Sequence, residues 1–173
     1  QAALPEVERR LHDALQELRL AVDSLEPTDG DLSVILGNVR HRMRAAIQNS
    51  GVRFHWQVGE LPQLPSLTPK AVLAIQRIIS EALANSLRHA RARRVTVGTR
   101  VNGSWLQIDV SDDGVGFDEA GITPGRGLEN LRQRARGLGG TVEIRSSPGT
   151  GTSVTLRLPL EHSRDAPVGV PAA

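Results

Sequence analysis

The sequence contains no cysteine. Disulfides and thiolate metal sites are therefore excluded, and nothing indicates an oxidising compartment. The uninterrupted apolar runs are only a few residues long, so the sequence predicts neither a signal peptide nor a membrane span within this stretch. A cytoplasmic location is expected, and any membrane anchor of a parent protein would lie outside these residues.

Lysine is almost absent as well, because Lys70 is the only one. Arginine carries nearly all of the positive charge, and the formal net charge is only +2. That balance does not favour nucleic acid as a partner. The length of 173 residues allows one globular domain with a sizeable core and one additional element.

Residues 4–25 are predicted to form a helix that carries a narrow apolar seam with the 4,3 spacing of a coiled coil. The seam consists of Leu11, Leu15, Leu18, Val22 and Leu25. Such a seam finds no partner within its own helix, so it must pack against another helix or another chain.

The remaining elements follow from apolar periodicity and from capping and turn residues. Helices are predicted over 31–48, 69–89 and 127–137, and strands over 52–58, 94–101, 105–111, 141–146 and 152–158. A hairpin turn is placed at Asn102-Gly103, and residues 161–173 are predicted to be a disordered tail. This order predicts an α+β protein, a two-layer α/β sandwich with helices on one face of a mixed, mostly antiparallel sheet.

The helix over 69–89 carries a polar arc opposite its apolar one. The arc contains Glu81, Asn85, Arg88 and His89. Taken alone, it is the ordinary solvated face of an amphipathic helix. Asparagine is, however, a poor residue for the middle of a helix, and its side-chain oxygen is a good ligand for Mg²⁺.

Three glycine turns follow along the chain. The first is D-D-G-V-G-F at 112–117, where Gly114 and Gly116 allow positive φ and close approach to a ligand. G-R-G-L at 125–128 opens a helix whose N-terminus suits an anion, and G-T-G-T lies at 149–152. Each turn alone is equally well an ordinary loop or hairpin.

The order of these motifs resembles the catalytic ATP-binding domain of sensor histidine kinases. Residues 81–89, 112–117, 125–128 and 149–152 match the N, G1 and G2 boxes and the closing G-T motif of the superfamily that includes gyrase B, Hsp90 and MutL. The runs at 80–90 and 127–135 look most like the subfamily that pairs with response regulators of the LuxR/NarL type. The resemblance covers about residues 31–160 and implies the Bergerat ATP-binding fold.

The resemblance implies ATP and Mg²⁺ as cofactors. Asn85 would hold the Mg²⁺, and Arg88 and His89 would lie along the phosphates. Asp112 would bind the adenine amine, with Thr152 joining it through an ordered water.

Further roles follow from the same resemblance. Gly114 and Gly116 would shape the base pocket, and Gly125, Gly127 and Leu128 would close the lid. Glu81 stands where ATP-hydrolysing relatives carry a general base. Because the neutral imidazole of an acceptor histidine is already a nucleophile, Glu81 is assigned a polarising or positioning role.

The chain departs from the pattern of a complete kinase in its leading segment. His12, in an L-H-D sequence, imitates a phosphoacceptor, but only one helix separates it from the nucleotide-binding region, whereas the acceptor hairpin needs two. Residues 1–27 are therefore predicted to be the second helix of a dimerisation hairpin, and His12 is not expected to be the acceptor. The stretch 117–124 is also short for an ATP lid.

The functional prediction is a protein-histidine kinase module that phosphorylates a histidine on its own upstream helices, for relay to a LuxR/NarL-type response regulator. The full-length protein is expected to be a homodimer, and this stretch alone is not expected to autophosphorylate. Two alternatives stay open: a degenerate nucleotide-binding or dimerisation module without phosphotransfer, and a serine kinase of the anti-sigma-factor type.

Overall fold

The computed structural model describes residues 30–64, 67–118 and 126–160, together with positions 7, 11, 14, 15, 18 and 22. The helices are α1 (Leu32–Ser50), α2 (Pro69–Arg88) and α3 (Arg126–Arg136). The strands are β1 (Arg53–Gln57), β2 (Arg94–Asn102), β3 (Trp105–Asp112), β4 (Thr141–Ser147) and β5 (Gly151–Pro159). The elements predicted within the described ranges are all present, with ends that differ by at most two residues.

The five strands form one open sheet in the order β1-β2-β3-β5-β4. β1 pairs with β2 in parallel, and the other neighbours pair antiparallel. The helices cover one face of this sheet, and the predicted two-layer α/β sandwich with a mixed, mostly antiparallel sheet is confirmed.

The β2–β3 hairpin differs from its prediction by one residue. Asn102 pairs with Trp105 as the last residue of β2, so the turn residues are Gly103 and Ser104. Gly103 has φ +59°, the left-handed conformation that glycine adopts without a Cβ clash. Asn102-Gly103 correctly indicates a hairpin. The turn begins one residue later than predicted because Asn102 still pairs with Trp105 in the strand ladder.

The helix boundaries follow from side-chain caps. Asp31 accepts a hydrogen bond from the backbone N–H of Ser33 at 2.7 Å before α1. Thr68 accepts one from Ala71 at 3.2 Å before α2, and Pro69 occupies the first turn, where its missing N–H costs nothing. Gly51 ends α1 with φ +69°. Thr68 and Pro69 fix the residue at which α2 begins, and hence which side of the helix carries the polar arc.

The core lies between the helices and the inward face of the sheet. Alternate strand residues point into it, as the period of two requires. Its fully buried large side chains are Leu32, Ile35, Leu36, Ile75, Ile78, Ile79, Leu83, Leu106, Ile108, Leu131 and Leu156. The outward face is polar: Asp109 accepts from Thr155 Oγ1 at 2.6 Å, and Glu143 accepts from Arg145 Nε at 2.7 Å. One face of the sheet is therefore available for packing and the other for water.

Gln76 is an exception in this core. Its side chain on α2 is fully buried, and neither its amide nitrogen nor its amide oxygen has a hydrogen-bond partner. A buried polar group without a partner costs about 1–3 kcal/mol, because its desolvation is not offset. Gln76 thus destabilises the fold from within the buried side of α2.

We expect Gln76→Met to raise the free energy of unfolding by about 1 kcal/mol or more, since methionine fills a similar volume without polar atoms. Urea denaturation followed by circular dichroism measures the change. Gln133→Met, at an exposed position of α3, serves as the matched control and is expected to change the stability by less than about 0.5 kcal/mol. Equal or lower stability of the Gln76 variant would contradict this interpretation.

The leading segment is described at a few positions only. Val7, Leu11, Leu15, Leu18 and Val22 are helical there, with exposed fractions between 48% and 61%. Ala14 is described as well. The other residues of the predicted helix over 4–25, among them His12 and Leu25, lie outside the described residues, as does the predicted tail over 161–173. At its described positions the apolar stripe is thus left uncovered by the rest of the chain.

Within the described ranges, no helix has both the length and the apolar character that crossing a bilayer requires.

Candidate functional site

Asp112 is the last residue of β3, with 9% of its surface exposed, and it is the one charged residue that is buried in the part of the chain that the structure describes. Its Oδ1 accepts hydrogen bonds from the backbone N–H groups of Gly114 at 3.0 Å and Thr152 at 3.2 Å. Its Oδ2 accepts one from the hydroxyl of Ser86 at 2.8 Å. These three donors fix the carboxylate, and Oδ2 keeps a lone pair for one more donor.

Ser86 joins helix α2 to the end of β3, and it was missed by the sequence analysis. It is buried and follows Asn85 directly, so its bond to Asp112 connects α2, one residue after Asn85, to this carboxylate. A detectable signal existed: at 100° per residue, Ser86 falls on the buried side of α2, where a hydroxyl needs a partner.

The polar arc of α2 divides into two parts. Glu81 and Asn85 are half-buried, whereas Arg88 and His89 are exposed. His89 caps the helix, and its backbone N–H donates to the carbonyl of Asn85 at 2.9 Å. The two half-buried side chains thus lie beside the domain's interior, and the two basic ones lie at the helix end.

The first glycine turn is held against the end of α2. A Cβ on Gly114 would overlap the carbonyl oxygen of Ala90, and the N–H of Val115 donates to that same oxygen at 2.7 Å. Only glycine permits so close an approach of two backbone segments. Gly114 is therefore required by packing within the chain, whatever ligand it faces.

The same turn is held on its other side by the β4–β5 hairpin. Gly116 has φ +59°, and a Cβ there would overlap the carbonyl oxygen of Ser147. The N–H of Gly149 donates to the carbonyl of Val115 at 2.7 Å. Gly151, with φ +84°, lies against the backbone of Asp112. The first and third glycine turns therefore interlock.

Ser146 is a second residue that sequence reasoning missed. Its Oγ accepts a hydrogen bond from the N–H of Phe117 at 2.9 Å and lies 2.9 Å from Thr152 Oγ1 and 3.1 Å from the carbonyl oxygen of Gly151. The inward positions of β4 are Val142, Ile144 and Ser146, so the break in their apolar pattern was the available signal.

The second glycine turn lies close to Glu81. A Cβ added to Gly127 would be 3.4 Å from Glu81 Oε1. Leu128 is half-buried and packs against the core. Gly125 lies outside the described residues. The beginning of α3 is thus next to the half-buried part of the α2 arc.

A cavity of about 320 Å³ lies at the ends of β3, β4 and β5. Hydroxyl side chains dominate its lining, and Asp112, Ser146 and Thr152 contribute to it. No polar residue of the α2 arc does. The cavity therefore lies beside Asp112, whereas Glu81 and Asn85 do not line it.

Asp113 turns away from Asp112 and binds the beginning of β2. Its Oδ1 accepts from the N–H groups of Arg94 at 2.7 Å and Arg93 at 2.8 Å. The Arg94 N–H lowers the pKa of the Asp113 carboxyl most. Burial, the next largest effect, raises this pKa, and the Arg93 N–H and the Arg94 charge lower it again, so that the net shift is downward. Its part is to fix the loop geometry.

The sign of this shift predicts an acid dependence of stability. Since the folded pKa is below the ordinary value of 3.8, the contribution of Asp113 is complete above that pH and is lost as the pH falls through the folded pKa. We expect Asp113→Asn to lose less thermal stability than the wild type on acidification from about pH 5 to pH 2. Scanning calorimetry measures both melting curves, and Glu129→Gln, at an exposed ion pair with Arg136, is the control. Parallel curves for all three proteins would contradict the assignment.

The chain is similar to several known proteins. Residues 71–162 match the family described as histidine kinase-, DNA gyrase B-, and HSP90-like ATPase. An uncharacterised sensor-like histidine kinase of Chloroflexus aurantiacus is 34% identical over 156 residues, which are 84% of this chain and 26% of that protein. The sensor histidine kinase LiaS of Bacillus subtilis is 34% identical over 99 residues, 53% of this chain and 28% of its own length. The chain thus spans about a quarter of each relative.

Solved structures share the fold. The blue-light activated histidine kinase of Erythrobacter litoralis superimposes with a TM-score of 0.71 at 24% identity, over 92% of this chain and 51% of that one. Full-length ShkA, solved in complex with AMPPNP, gives 0.67 at 19% identity, over 91% of this chain and 37% of that one. At these identities the likeness concerns the fold.

Proposed function

Because the chain belongs to the family of histidine kinase-, DNA gyrase B- and HSP90-like ATPases, we propose that it is the ATP-binding catalytic domain of a two-component sensor histidine kinase. It would bind Mg·ATP and transfer the γ-phosphoryl group to a histidine of its own dimerisation helices, for relay to a response regulator of the LuxR/NarL type. The observation that carries the proposal is the buried Asp112 carboxylate, fixed by Gly114, Thr152 and Ser86, the last of which follows Asn85 on α2.

Adenine fits the environment of Asp112. The carboxylate is an acceptor only, and its Oδ2 has room for one donor besides Ser86. An exocyclic amine supplies such a donor, whereas a carbonyl at the same position would repel it. Gly114 and Gly116 hold the turn after Asp112 close to the backbones of Ala90 and Ser147. Thr152 lies directly across the ladder from Asp112.

The α2 arc fits the other end of the nucleotide. Asn85 would hold Mg²⁺ through its side-chain oxygen, as a single protein ligand among phosphate and water ligands. Arg88 and His89, exposed at the end of α2, would contact the phosphates, and Gly125, Gly127 and Leu128 would cover them. Bound Mg²⁺ would neutralise charge on the phosphates.

Glu81 would orient the acceptor imidazole. An imidazole nitrogen would form the new N–P bond as the bond from the γ-phosphorus to the bridging oxygen breaks and ADP leaves. The Glu81 carboxylate, half-buried beside Gly127, would accept a hydrogen bond from the other ring nitrogen and stabilise its growing positive charge.

The acceptor would lie on a dimerisation hairpin to which residues 1–27 contribute the second helix. The exposed stripe of Val7, Leu11, Leu15, Leu18 and Val22 supports this assignment, because an uncovered heptad seam requires a partner helix. We accordingly assign 31–160 to the ATP-binding domain and 161–173 to a tail, and we propose a homodimer for the full-length protein. His12 is not the proposed acceptor.

Calorimetric titration with ATP, with and without Mg²⁺, tests nucleotide binding. The expected result is saturable binding that is tighter with Mg²⁺. Incubation of the full-length protein with labelled ATP then separates a kinase from a degenerate binding module. Acid-labile phosphohistidine is expected. Acid-stable phosphoserine would instead indicate a serine kinase of the anti-sigma-factor type. Nucleotide binding without labelling of the protein would indicate a module that binds nucleotide but does not transfer phosphate. Absence of nucleotide binding would reject the proposal altogether.

A further inference from the structure

The hydroxyl of Ser146 connects two parts of the site that are remote in sequence. It contacts Thr152 Oγ1 on β5, and it accepts from the N–H of Phe117. Phe117 is the last residue but one of the described turn before the segment that leads to α3. A single half-buried hydroxyl on β4 therefore holds both the residue opposite Asp112 and the end of the glycine turn.

Between Ser146, Gly151 and Thr152, two arrangements of the hydroxyl hydrogens satisfy these distances. In the first, Ser146 donates to the carbonyl of Gly151 at 3.1 Å and Thr152 donates to Ser146. Thr152 then faces a ligand only as an acceptor. In the second, Ser146 donates to Thr152 at 2.9 Å, so that the hydrogen of Thr152 is available for a ligand. The N–H of Phe117 donates to Ser146 in both arrangements.

The chemistry of adenine selects between them. Beside its amine, adenine presents a ring nitrogen that only accepts. Gly114, Thr152 and Ser86 already donate to Asp112, and the amine would take its last lone pair, so a bridging water would find no acceptor there. Thr152, across the ladder from Asp112, would therefore contact the ring nitrogen directly. Thr152 must therefore donate, which is the second arrangement.

We propose that Ser146 is a positioning residue that sets the direction of the Thr152 hydroxyl hydrogen and so completes the selection of adenine, while it fixes the backbone at Phe117. This role rests on the proposed function, since it concerns the same nucleotide. Ser146 itself does not touch the base. It acts through Thr152, in the way that an outer-shell partner orients a direct ligand.

The test compares ATP with 1-deaza-ATP, in which that ring nitrogen is replaced by C–H. We expect the wild type to bind Mg·ATP more tightly than the deaza analogue. Ser146→Ala should bind Mg·ATP about tenfold more weakly, the loss typical of one or two buried hydrogen bonds. The preference over the analogue should fall, because the hydrogen of Thr152 is no longer directed toward the ring nitrogen. Ser146→Thr keeps the hydroxyl and should stay within about twofold of the wild type in both measurements.

Two further measurements separate positioning from packing. Thermal denaturation of each variant establishes that it is folded at the temperature of the titration. Thr141→Ala removes a hydroxyl from an exposed, outward position of the same strand and should leave both affinities unchanged. If Ser146→Ala is unfolded, Thr152→Val, which removes the donor itself, should reproduce the loss of preference in a folded protein.

The outcomes are distinguishable. An unchanged preference for ATP over 1-deaza-ATP in Ser146→Ala, or in Thr152→Val where that variant replaces it, overturns the role of Ser146. Equal losses in the alanine and threonine variants overturn it as well, since they would trace the effect to packing. Failure of the wild type to bind Mg·ATP would reject the proposed function, and this is read from the same titrations before any variant is compared.

Discussion

Asp112→Asn is expected to weaken Mg·ATP binding by about 100-fold or more. The amide keeps an oxygen that can accept from Gly114 and Thr152, and its nitrogen can donate to the oxygen of Ser86, so the local fold should persist. That nitrogen, however, would face the exocyclic amine of adenine, and both groups are hydrogen-bond donors. A buried donor facing a donor loses the hydrogen bond and leaves two groups unsatisfied, which corresponds to factors of this size.

The same substitution should change which base is preferred. Inosine triphosphate carries a carbonyl where ATP carries the amine, and the introduced amide nitrogen can donate to that carbonyl, whereas the carboxylate of Asp112 cannot. We expect the ratio of ATP to ITP affinity to fall from well above one to below one. Calorimetric titration of both nucleotides gives the ratio, which a general loss of folding cannot invert.

Asp109→Asn is the matched control for this substitution. Asp109 lies three residues earlier on β3 but on the outward face, where it contacts Thr155 and Gln107. The control should bind ATP as the wild type does. If Asp112→Asn binds ATP within threefold of the wild type, the adenine would have to bind elsewhere.

Glu81→Gln is expected to reduce the rate of phosphohistidine formation by at least about 100-fold while the affinity for Mg·ATP stays within about threefold. General acid–base and positioning groups contribute factors of about 10²–10⁴ to a rate. Glutamine keeps the size of the side chain beside Gly127 but removes the negative charge that would stabilise the imidazole. The loss should therefore appear in the chemical step and leave binding intact.

The measurement is a single-turnover assay of the full-length protein with saturating labelled ATP. Glu129→Gln, in the first turn of α3 and exposed, removes the same charge from the neighbouring helix and should phosphorylate at the wild-type rate. A parallel fall in affinity and rate in Glu81→Gln would move Glu81 to the nucleotide-binding part of the site, and an unchanged rate would remove it from the reaction.

Local patterns were sufficient for the elements of the fold. Thr68 with Pro69, Asp31 and Gly51 marked the helix boundaries because caps act within a few residues of the chain. Strict alternation, as in Leu106, Ile108 and Val110, identified the strands and their buried face. The β2–β3 turn was displaced by one residue, since the turn signal does not say whether Asn102 belongs to the turn or to the ladder.

The motif residues could be named from the sequence, but their contacts could not. Glu81 and Asn85 were assigned to one arc, yet only packing distinguishes them, half-buried, from the exposed Arg88 and His89. Gly114 and Gly116 were predicted to make room for a ligand. The structure shows that they make room for the backbones of Ala90 and Ser147, whereas their part toward a ligand stays a prediction.

By itself, the sequence determined the order and phase of the helices and strands and the identity of the motif residues, because these depend on neighbours a few positions apart. Only the tertiary structure decided the contacts of Asp112, whose partners Ser86 and Thr152 lie 26 and 40 residues away along the chain. It likewise decided the position of Ser146 between Phe117 and Thr152. Such hydrogen bonds form where separate elements meet, and no periodicity along one element encodes which hydroxyl will face which carboxylate.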